Sequence, residues 1–109
     1  MNGQGVTLAL LLQNKELKYF ERLHSKYFNS SFCIIYTAIS QFYLKYEKLP
    51  TQSELELENC RKIKSLNAIL ALKQIDIPDI DPEIAITVLE NHFAQQFTLH
   101  QVKSLVQVL

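Results

Sequence analysis

The stretch FYLKYEKLPTQSEL, residues 42–55, predicts a joint between two helices. Pro50 cannot extend the helix before it, and it favours an extended conformation at Leu49. Thr51 and Glu54 have the spacing of a capping box, in which the Thr51 hydroxyl caps the new helix and the Glu54 side chain reaches back to the cap. The change from an aromatic, basic run to an acidic, leucine-containing run therefore marks the end of one helix and the start of the next.

On both sides of this joint, apolar residues recur at the three- and four-residue steps of helices. The segments predicted to be helical are 6–13, 15–24, 31–46, 52–59 and 61–72. The first is apolar nearly all round and is predicted to be buried. The helix over 31–46 carries apolar groups on more than one side, as a central helix does. With two glycines and three prolines in 109 residues, the chain has few turn residues, and we predict an all-α fold.

Finer expectations concern helix caps and inward faces. Asn14 is predicted to cap the helix over 15–24, and Asp81 is predicted to cap the last helix. In the helix over 61–72, the residues predicted to face inward are Ile63, Leu66, Ile69 and Leu70.

The chain is predicted to divide into a compact head, a connector and one long helix. Residues 1–75 form the head of about five short helices, and residues 76–81, where isoleucines alternate with aspartates, form an extended connector. Residues 82–109 contain no glycine and no proline after the first position. As one helix they would be about 42 Å long, which exceeds the roughly 26 Å diameter of a compact domain of about 100 residues.

The distal half of this long helix keeps an apolar stripe, which we predict to be a self-association interface. Its members are Phe97, Leu99, Val102, Leu105, Val106 and Leu109. A two-fold contact is the commonest way to bury an identical stripe, so two such helices are expected to pack side by side. The alternative is that the helix bends back onto its own head. The chain stops on VQVL without a C-cap, as expected for a helix cut from a longer chain.

Charge is unevenly distributed although the net charge is zero. Residues 1–73 carry ten of the eleven basic residues and six acidic residues, giving +4, whereas residues 74–109 carry one base and five acids, giving −4. This imbalance is too small to indicate nucleic-acid binding. Solvated faces are the simpler interpretation, and a docking surface for an acidic partner is the alternative. The bases predicted to contribute to such docking are Lys15, Lys18, Arg22 and Lys26.

Residue types that carry out catalysis are present, but not in the arrangements that catalysis requires. The only glycines, Gly3 and Gly5, cannot form a phosphate-binding loop. His92 and His100 would lie about 12 Å apart on a helix, too far to share a metal ion. We therefore predict no catalytic residue, no cofactor and no metal.

The cysteines and the hydropathy bear on the compartment. Cys33 and Cys60 lie in different predicted helices and outside any C-x-x-C pair, which is typical of reduced thiols in a cytosolic protein. The apolar run VTLALLL has seven residues, whereas a membrane-spanning helix needs about 18–20. We expect a cytoplasmic protein without membrane contact.

The segment KYFNSSFCIIYTAISQFYLKYEKLPTQSEL, residues 26–55, resembles the N-terminal domain of DnaB-type replicative helicases, most of all the forms encoded by large bacteriophages. The residues that carry the resemblance are Tyr27, Phe28, Ile35, Ile39, Phe42, Tyr46, Pro50, Thr51 and Leu55. In that family a tyrosine-phenylalanine pair precedes a helix rich in Ile and Phe, then an aromatic and basic segment, a Pro-Thr or Pro-Ser cap and a short helix with leucine. Upstream, LALLLQNKELKYFERL is similar to the family's opening helix. Downstream, LENHFAQQFTLHQVKSL is similar to the start of its helical hairpin.

The resemblance implies a non-catalytic part of a hexameric helicase. Such domains form the N-terminal tier of the ring, their hairpins pair subunits, and the tier docks primase and sometimes a loader. The motor tier hydrolyses NTP and moves along single-stranded DNA, so no direct nucleic-acid contact is expected here. Residues 82–109 would be the first arm of a truncated hairpin, in a protein of the bacterial or infected host cytoplasm. The connector IDIPDID does not match the family, and the second hairpin helix and the ATPase motor are missing from the sequence.

A different class of function stays open at this point. A free-standing small helical adaptor that binds a host or replication factor would share the all-α fold and the lack of catalytic groups. The downstream reading frame separates the two, because a P-loop after Leu109 is expected for a helicase and a stop codon for an adaptor.

Overall fold

The computed structural model describes residues 3–94, of which 74% are helical, and no strand occurs among them. The α-helices are α1 (Gly3–Asn14), α2 (Leu17–Phe20), α3 (Ser30–Tyr46), α4 (Gln52–Glu58), α5 (Ile63–Ala71) and α6 (residues 82–94). Short 3-10 turns at Ser25–Tyr27 and Leu72–Gln74 precede α3 and follow α5. The prediction of an all-α fold is confirmed.

Helix α3 lies at the centre of the head. It contacts α1, α4, α5 and the 3-10 turn before it. Ile35, Ile39 and Phe42 recur at helical spacing on its inner face and are 1%, 0% and 4% exposed. The fully buried side chains that surround them include Leu8 of α1, Leu55 of α4 and Ile69 of α5. The prediction that the helix over 31–46 is central is confirmed.

Helix α1 is buried along most of its length, as its apolar sequence predicted. Every residue from 5 to 12 is buried. A Cβ atom added to Gly5 would lie 2.6 Å from Cδ1 of Ile75 and 3.0 Å from Cε1 of Phe32. Because such distances are too short for a larger side chain, glycine at this position lets the segment after α5 approach α1 directly.

The joint between α3 and α4 has the predicted construction. Glu47 adopts a left-handed conformation with φ 58° and donates its N–H to the Tyr43 carbonyl at 2.8 Å, which ends α3. The Glu54 N–H donates to Thr51 Oγ1 at 3.1 Å, and the Thr51 N–H donates to Glu54 Oε1 at 3.0 Å. The capping box is therefore confirmed, and Pro50 is fully buried beside it.

The prediction that Asn14 caps the second helix is wrong. The Asn14 side-chain amide donates to the Leu10 carbonyl at 2.9 Å, so Asn14 closes α1 instead of opening α2. Lys15 then adopts a left-handed conformation with φ 53°. This single residue turns the chain out of α1, and α2 begins only after Glu16.

The second helix is also shorter than the predicted range of 15–24. It ends at Phe20, and residues 21–24 form turns and extended chain. The carbonyl of Leu23 accepts a 3.1 Å hydrogen bond from the Tyr36 hydroxyl of α3. In the part of the chain where the periodicity predicted a longer helix, the Leu23 carbonyl therefore bonds to a side chain of α3.

Helix α5 turns a different face to the core than its spacing predicted. Ile69 is fully buried, but Ile63 is 73% exposed and Leu70 is 37% exposed. The helix begins at Ile63, so this side chain lies in the first turn, at the edge of the core. Helix α5 is buried through Ala68 and Ile69, and the prediction that Ile63 and Leu70 face inward is wrong.

Residues 76–81 are non-helical and lead into α6. Asp81 caps this helix as predicted, since its Oδ1 accepts the Glu83 N–H at 2.9 Å. Residues 95–109 lie outside the described part of the chain. The predicted self-association stripe falls entirely on them, namely Phe97, Leu99, Val102, Leu105, Val106 and Leu109.

Candidate interaction surfaces

Helix α6 is attached to the head by an apolar contact. Ile86 and Leu89 are 2% and 6% exposed and belong to the core of the head. One turn further along, the Phe93 ring lies 5.2 Å from the Tyr27 ring, centroid to centroid. The described part of the last helix is therefore packed against the head by three side chains at helical spacing.

Arg22 adds a polar clamp to the same contact. Its Nη2 donates to Glu90 Oε1 at 2.5 Å and to Thr87 Oγ1 at 3.2 Å, and its Nη1 lies 3.8 Å from Glu83 Oε1. The hydrogen bond to Glu90 raises the pKa of Arg22 above its usual value. The side chain is 33% exposed, so Arg22 is not the exposed base that the sequence predicted, because α6 takes up its guanidinium group.

The other three predicted docking bases lie at the surface. Lys18 is exposed, with its Nζ 3.2 Å from Glu16 Oε2 and 5.1 Å from the centre of the Tyr19 ring. Lys15 and Lys26 are exposed, and neither forms an ion pair within residues 3–94. Three of the four predicted bases thus remain accessible to a partner, and docking through them stays a prediction.

A second cationic surface lies at the turn between α4 and α5. We call it the basic turn, and it consists of Leu57, Arg61, Lys62, Ile63 and Lys64. The three cations are exposed and form no ion pair within residues 3–94, while Leu57 and Ile63 are 75% and 73% exposed. The run RKIK was visible in the sequence, but the surface was missed because helical spacing assigned Ile63 to the core.

An acidic counterpart lies at the connector before α6. We call it the acidic connector, and it consists of Asp76, Ile77, Asp79 and Ile84. Both aspartates are exposed and unpaired within the described range, while Ile77 and Ile84 are 44% and 58% exposed. Val88 continues this apolar exposure one turn along α6, at 60%.

The acidic residues of α4 are all engaged by lysines. The pairs are Glu54–Lys48 at 2.9 Å, Glu56–Lys73 at 3.0 Å and Glu58–Lys45 at 2.7 Å. Lys48, with help from the Thr51 backbone, lowers the pKa of Glu54 to about 2, and Lys45 lowers the pKa of Glu58. A general acid near neutral pH needs a raised carboxyl pKa, whereas the pKa values of Glu54 and Glu58 are lowered.

One cleft of about 490 Å³ lies where α1, α3 and the end of α5 meet. Its lining is mainly apolar, with Phe32, Ile35 and Leu72 at its walls and Asn29 and Ser30 at its rim. None of its lining residues is a histidine, cysteine, acid or base. The cleft offers space for an apolar group but no group that could transfer a proton or hold a metal.

The described residues form neither a metal site nor a membrane-spanning helix. Residues 3–94 contain no group of three histidine, cysteine or acidic side chains placed to hold a metal ion. Both cysteines are free thiols, with Cys33 half-buried and Cys60 exposed. No helix within this range has the length and apolar character needed to cross a membrane.

In comparisons with known proteins, no protein-family model, no curated protein and no solved structure matches this chain. A functional proposal therefore depends on the residues and the geometry described above.

Proposed function

We propose that this chain is the N-terminal oligomerisation and docking domain of a DnaB-type replicative helicase, of the form found in large bacteriophages. One observation carries the proposal, which is that residues of the sequence resemblance build the centre of the head. Ile35, Ile39 and Phe42 form the inner face of α3, and Pro50 and Leu55 are buried at the capped joint. Buried side chains must fit closely against their neighbours, so a resemblance among them restricts the fold more than a resemblance among exposed residues would.

In this role the chain is non-catalytic and holds subunits and partners together. The distal part of residues 82–109 pairs subunits within a hexameric tier, and a primase or a helicase loader docks on that tier. NTP hydrolysis and movement along DNA belong to a motor domain, so this domain needs no cofactor and no nucleic-acid contact. The lysine-paired carboxylates of α4 and the cleft without titratable groups support this division of work. The setting is the cytoplasm of a bacterium or of an infected host cell.

A free-standing adaptor is the second candidate, and the basic turn favours it. Exposed aliphatic side chains beside unpaired cations are typical of a protein-binding surface. Leu57 and Ile63 are each at least 73% exposed there. An adaptor would use this surface for an acidic partner and would need no ring.

The reading frame and the activity of the pure protein separate these candidates from each other and from an enzyme. For the helicase domain we expect the frame to continue past Leu109 into an ATPase with a G-x-x-x-x-G-K-[ST] loop. A stop codon directly after Leu109 would favour the adaptor. The pure chain should neither bind nor hydrolyse ATP, and measurable turnover would contradict both proposals.

Primase binding tests the docking role. Reversing Lys18 and Lys26 to glutamate should weaken primase binding by about tenfold at low salt and reduce its salt dependence. Arg22 is left unchanged because its reversal would also break the contact with α6. Lys18→Arg with Lys26→Arg is the control, since it keeps both positive charges at the same two exposed positions. Equal affinity of the double variant and the parent would return Lys18 and Lys26 to the role of solvated bases.

A further inference from the structure

Two surfaces of this molecule have opposite charge and the same kind of apolar content. The basic turn presents three unpaired cations around two exposed aliphatic side chains. The acidic connector presents two unpaired carboxylates beside two exposed isoleucines. Within residues 3–94, the charged groups of both surfaces form no ion pair with another residue.

The basic turn is unusual among the cationic positions of the described chain. Most other basic side chains of the head pair with carboxylates, as in Lys45–Glu58, Lys48–Glu54 and Lys73–Glu56. Lys15 and Lys26 form no ion pair within residues 3–94, but they are single bases 11 positions apart in the sequence. Arg61, Lys62 and Lys64 are clustered within four positions, and Ile63 between them is 73% exposed. An apolar side chain flanked by unpaired cations fits a partner segment in which aliphatic and acidic residues alternate.

The acidic connector has that alternation. Its sequence IDIPDID places exposed Asp76 and Asp79 on either side of Ile77 and Pro78. Residues 76–81 are non-helical and bend at Asp79, where the Ile80 N–H donates to the Pro78 carbonyl at 2.9 Å, and both aspartates are exposed. The isoleucines can then contact the exposed aliphatic side chains while the carboxylates meet the cations.

We infer that the basic turn of one molecule binds the acidic connector of a second copy of this chain. The partner is a second copy because both halves of the contact occur on the same chain, with +4 before residue 74 and −4 after residue 73. The net charge of zero means that two copies do not repel each other as they approach. The contact is heterologous, so each molecule can use its turn for one neighbour and its connector for another.

A polyanion such as a nucleic acid suits the basic turn less well than a short acidic segment. Helix α4 ends beside the turn and carries Glu54, Glu56 and Glu58, and Glu58 interacts electrostatically with Lys62 of the turn. The three cations of the turn could neutralise only a few charges of a continuous phosphate backbone. A segment with two separated carboxylates can reach the cations without crossing α4.

The inference goes beyond the proposed function and does not require it. A head-to-tail contact through the basic turn differs from the subunit pairing proposed for the distal part of residues 82–109. A ring built from pairs needs a second kind of contact between pairs, and this surface would provide one. An adaptor would use the same contact to form chains or rings of its own.

Charge exchange in the full chain tests the inference by analytical ultracentrifugation. The first variant is Arg61→Glu with Lys64→Glu, the second is Asp76→Lys with Asp79→Lys, and the third carries all four changes. We expect the parent to associate at about 0.1 M salt and to lose the head-to-tail part of this association at about 1 M, where the Debye length is about 3 Å, whereas apolar pairing through residues 97–109 would persist. Each double variant should associate at least about tenfold more weakly than the parent at low salt. The fourfold variant has zero net charge, as the parent does, and should recover association.

The control for net charge is Lys15→Glu with Lys26→Glu. It shifts the net charge by the same amount as the first variant, but at two exposed and unpaired bases on another surface. It should associate like the parent. Helical circular dichroism of every variant should match the parent, since all substituted side chains are exposed and the Asp81 cap is kept.

The possible outcomes separate this contact from the pairing proposed for residues 97–109. Association that is unchanged by both double variants and by salt would overturn the head-to-tail contact, although it would agree with pairing through the apolar side chains of residues 97–109. A parent chain that is monomeric at high concentration in low salt would also overturn it. Loss in both double variants with recovery in the fourfold variant would support it, because only a contact between the two exchanged surfaces predicts recovery.

Discussion

Two junctions order the elements of this chain, and they are built on different scales. Between α3 and α4, the two capping bonds join Thr51 and Glu54, which are three residues apart. Between the head and α6, the hydrogen bond from Arg22 to Glu90 spans 68 residues of sequence. The first junction is defined within one short stretch, whereas the second exists only when distant parts of the chain have folded together.

This difference explains why the sequence predicts the joint between α3 and α4 but not the contact between the head and α6. A cap requires particular residue types at fixed spacing, so Pro50, Thr51 and Glu54 are recognisable from their order along the chain. The clamp of Arg22 on α6 has no fixed spacing, and its parts look like ordinary surface residues. The stability of the α3–α4 joint should therefore depend on the capping residues alone. The stability of the contact between the head and α6 should depend on residues on both sides, which are far apart in the sequence.

The largest expected effect is at the apolar part of the long-range junction. Ile86→Ala should destabilise the protein by about 2–5 kcal/mol, because it empties a site in the core that is 2% exposed. Ile84→Ala is the matched control on the same helix, since that side chain is 58% exposed and its loss should change stability by less than about 0.5 kcal/mol. Urea denaturation measures both. Equal losses would mean that α6 does not use the face described here.

The second largest effect is expected within the head, where Ile75 approaches α1. Gly5→Val should destabilise the protein by about 1–3 kcal/mol, because the added side chain overlaps Ile75 and Phe32. Gly5→Ala should be better tolerated, since its one added carbon mainly meets the movable Cδ1 of Ile75. Combining Gly5→Val with Ile75→Ala should recover part of the loss in thermal denaturation. Without such recovery, the close contact at Gly5 would not be the cause.

The local junction should respond to its cap. Thr51→Ala removes the hydroxyl that accepts the Glu54 N–H and should cost about 0.5–2 kcal/mol. Thr51→Ser keeps the acceptor and should stay close to the parent in the same urea titration. If alanine and serine behave alike, the α3–α4 joint is held by the burial of Pro50 and Leu55 and not by the capping box.

The polar clamp of the long-range junction should contribute less. A double-mutant cycle with Arg22→Met and Glu90→Gln should give a coupling of about 0.2–1 kcal/mol. High salt should reduce it because both side chains are still 33% exposed. A parallel cycle on Lys45 and Glu58, which are 61% and 31% exposed, should give a smaller coupling. The reverse ranking would show that α6 is held by its apolar face alone.

The smallest effect is expected from acid at the local junction. Lys48 and the Thr51 backbone lower the pKa of Glu54 from 4.5 to about 2 in the folded protein. A lowered carboxyl pKa stabilises the fold above the unfolded value, and this contribution is lost as the pH falls from about 4.5 towards about 2. The stability difference between the parent and Glu54→Gln should therefore shrink in this range in pH-dependent denaturation. A difference that stays constant would contradict the charged role of Glu54.

The sequence predicted those parts of the fold that depend on neighbouring residues. Helix α3, the capping box and the Asp81 cap are governed by short spacings, and each is found where it was predicted. The errors concern positions where distant contacts decide the outcome. Asn14 closes α1 instead of capping α2, and Ile63 lies at the surface because α5 is buried through other residues.

The candidate surfaces show the same division. The charges of the basic turn and the acidic connector can be read directly from RKIK and IDIPDID. Their exposed aliphatic side chains could not be predicted, because helical spacing gives the direction of a side chain only relative to its own helix. Arg22 was predicted to be exposed for the same reason, since its sequence neighbours do not reveal the carboxylates of α6.

The sequence by itself determined the all-α class, the joint at Pro50–Thr51 and the separation of positive from negative charge. Those properties follow from composition and from interactions over a few residues. Only the tertiary structure decided which bases are occupied and which isoleucines are exposed. The physical reason is that burial and ion pairing depend on which helices meet, and the contact of α6 with the head joins residues that local periodicity cannot relate.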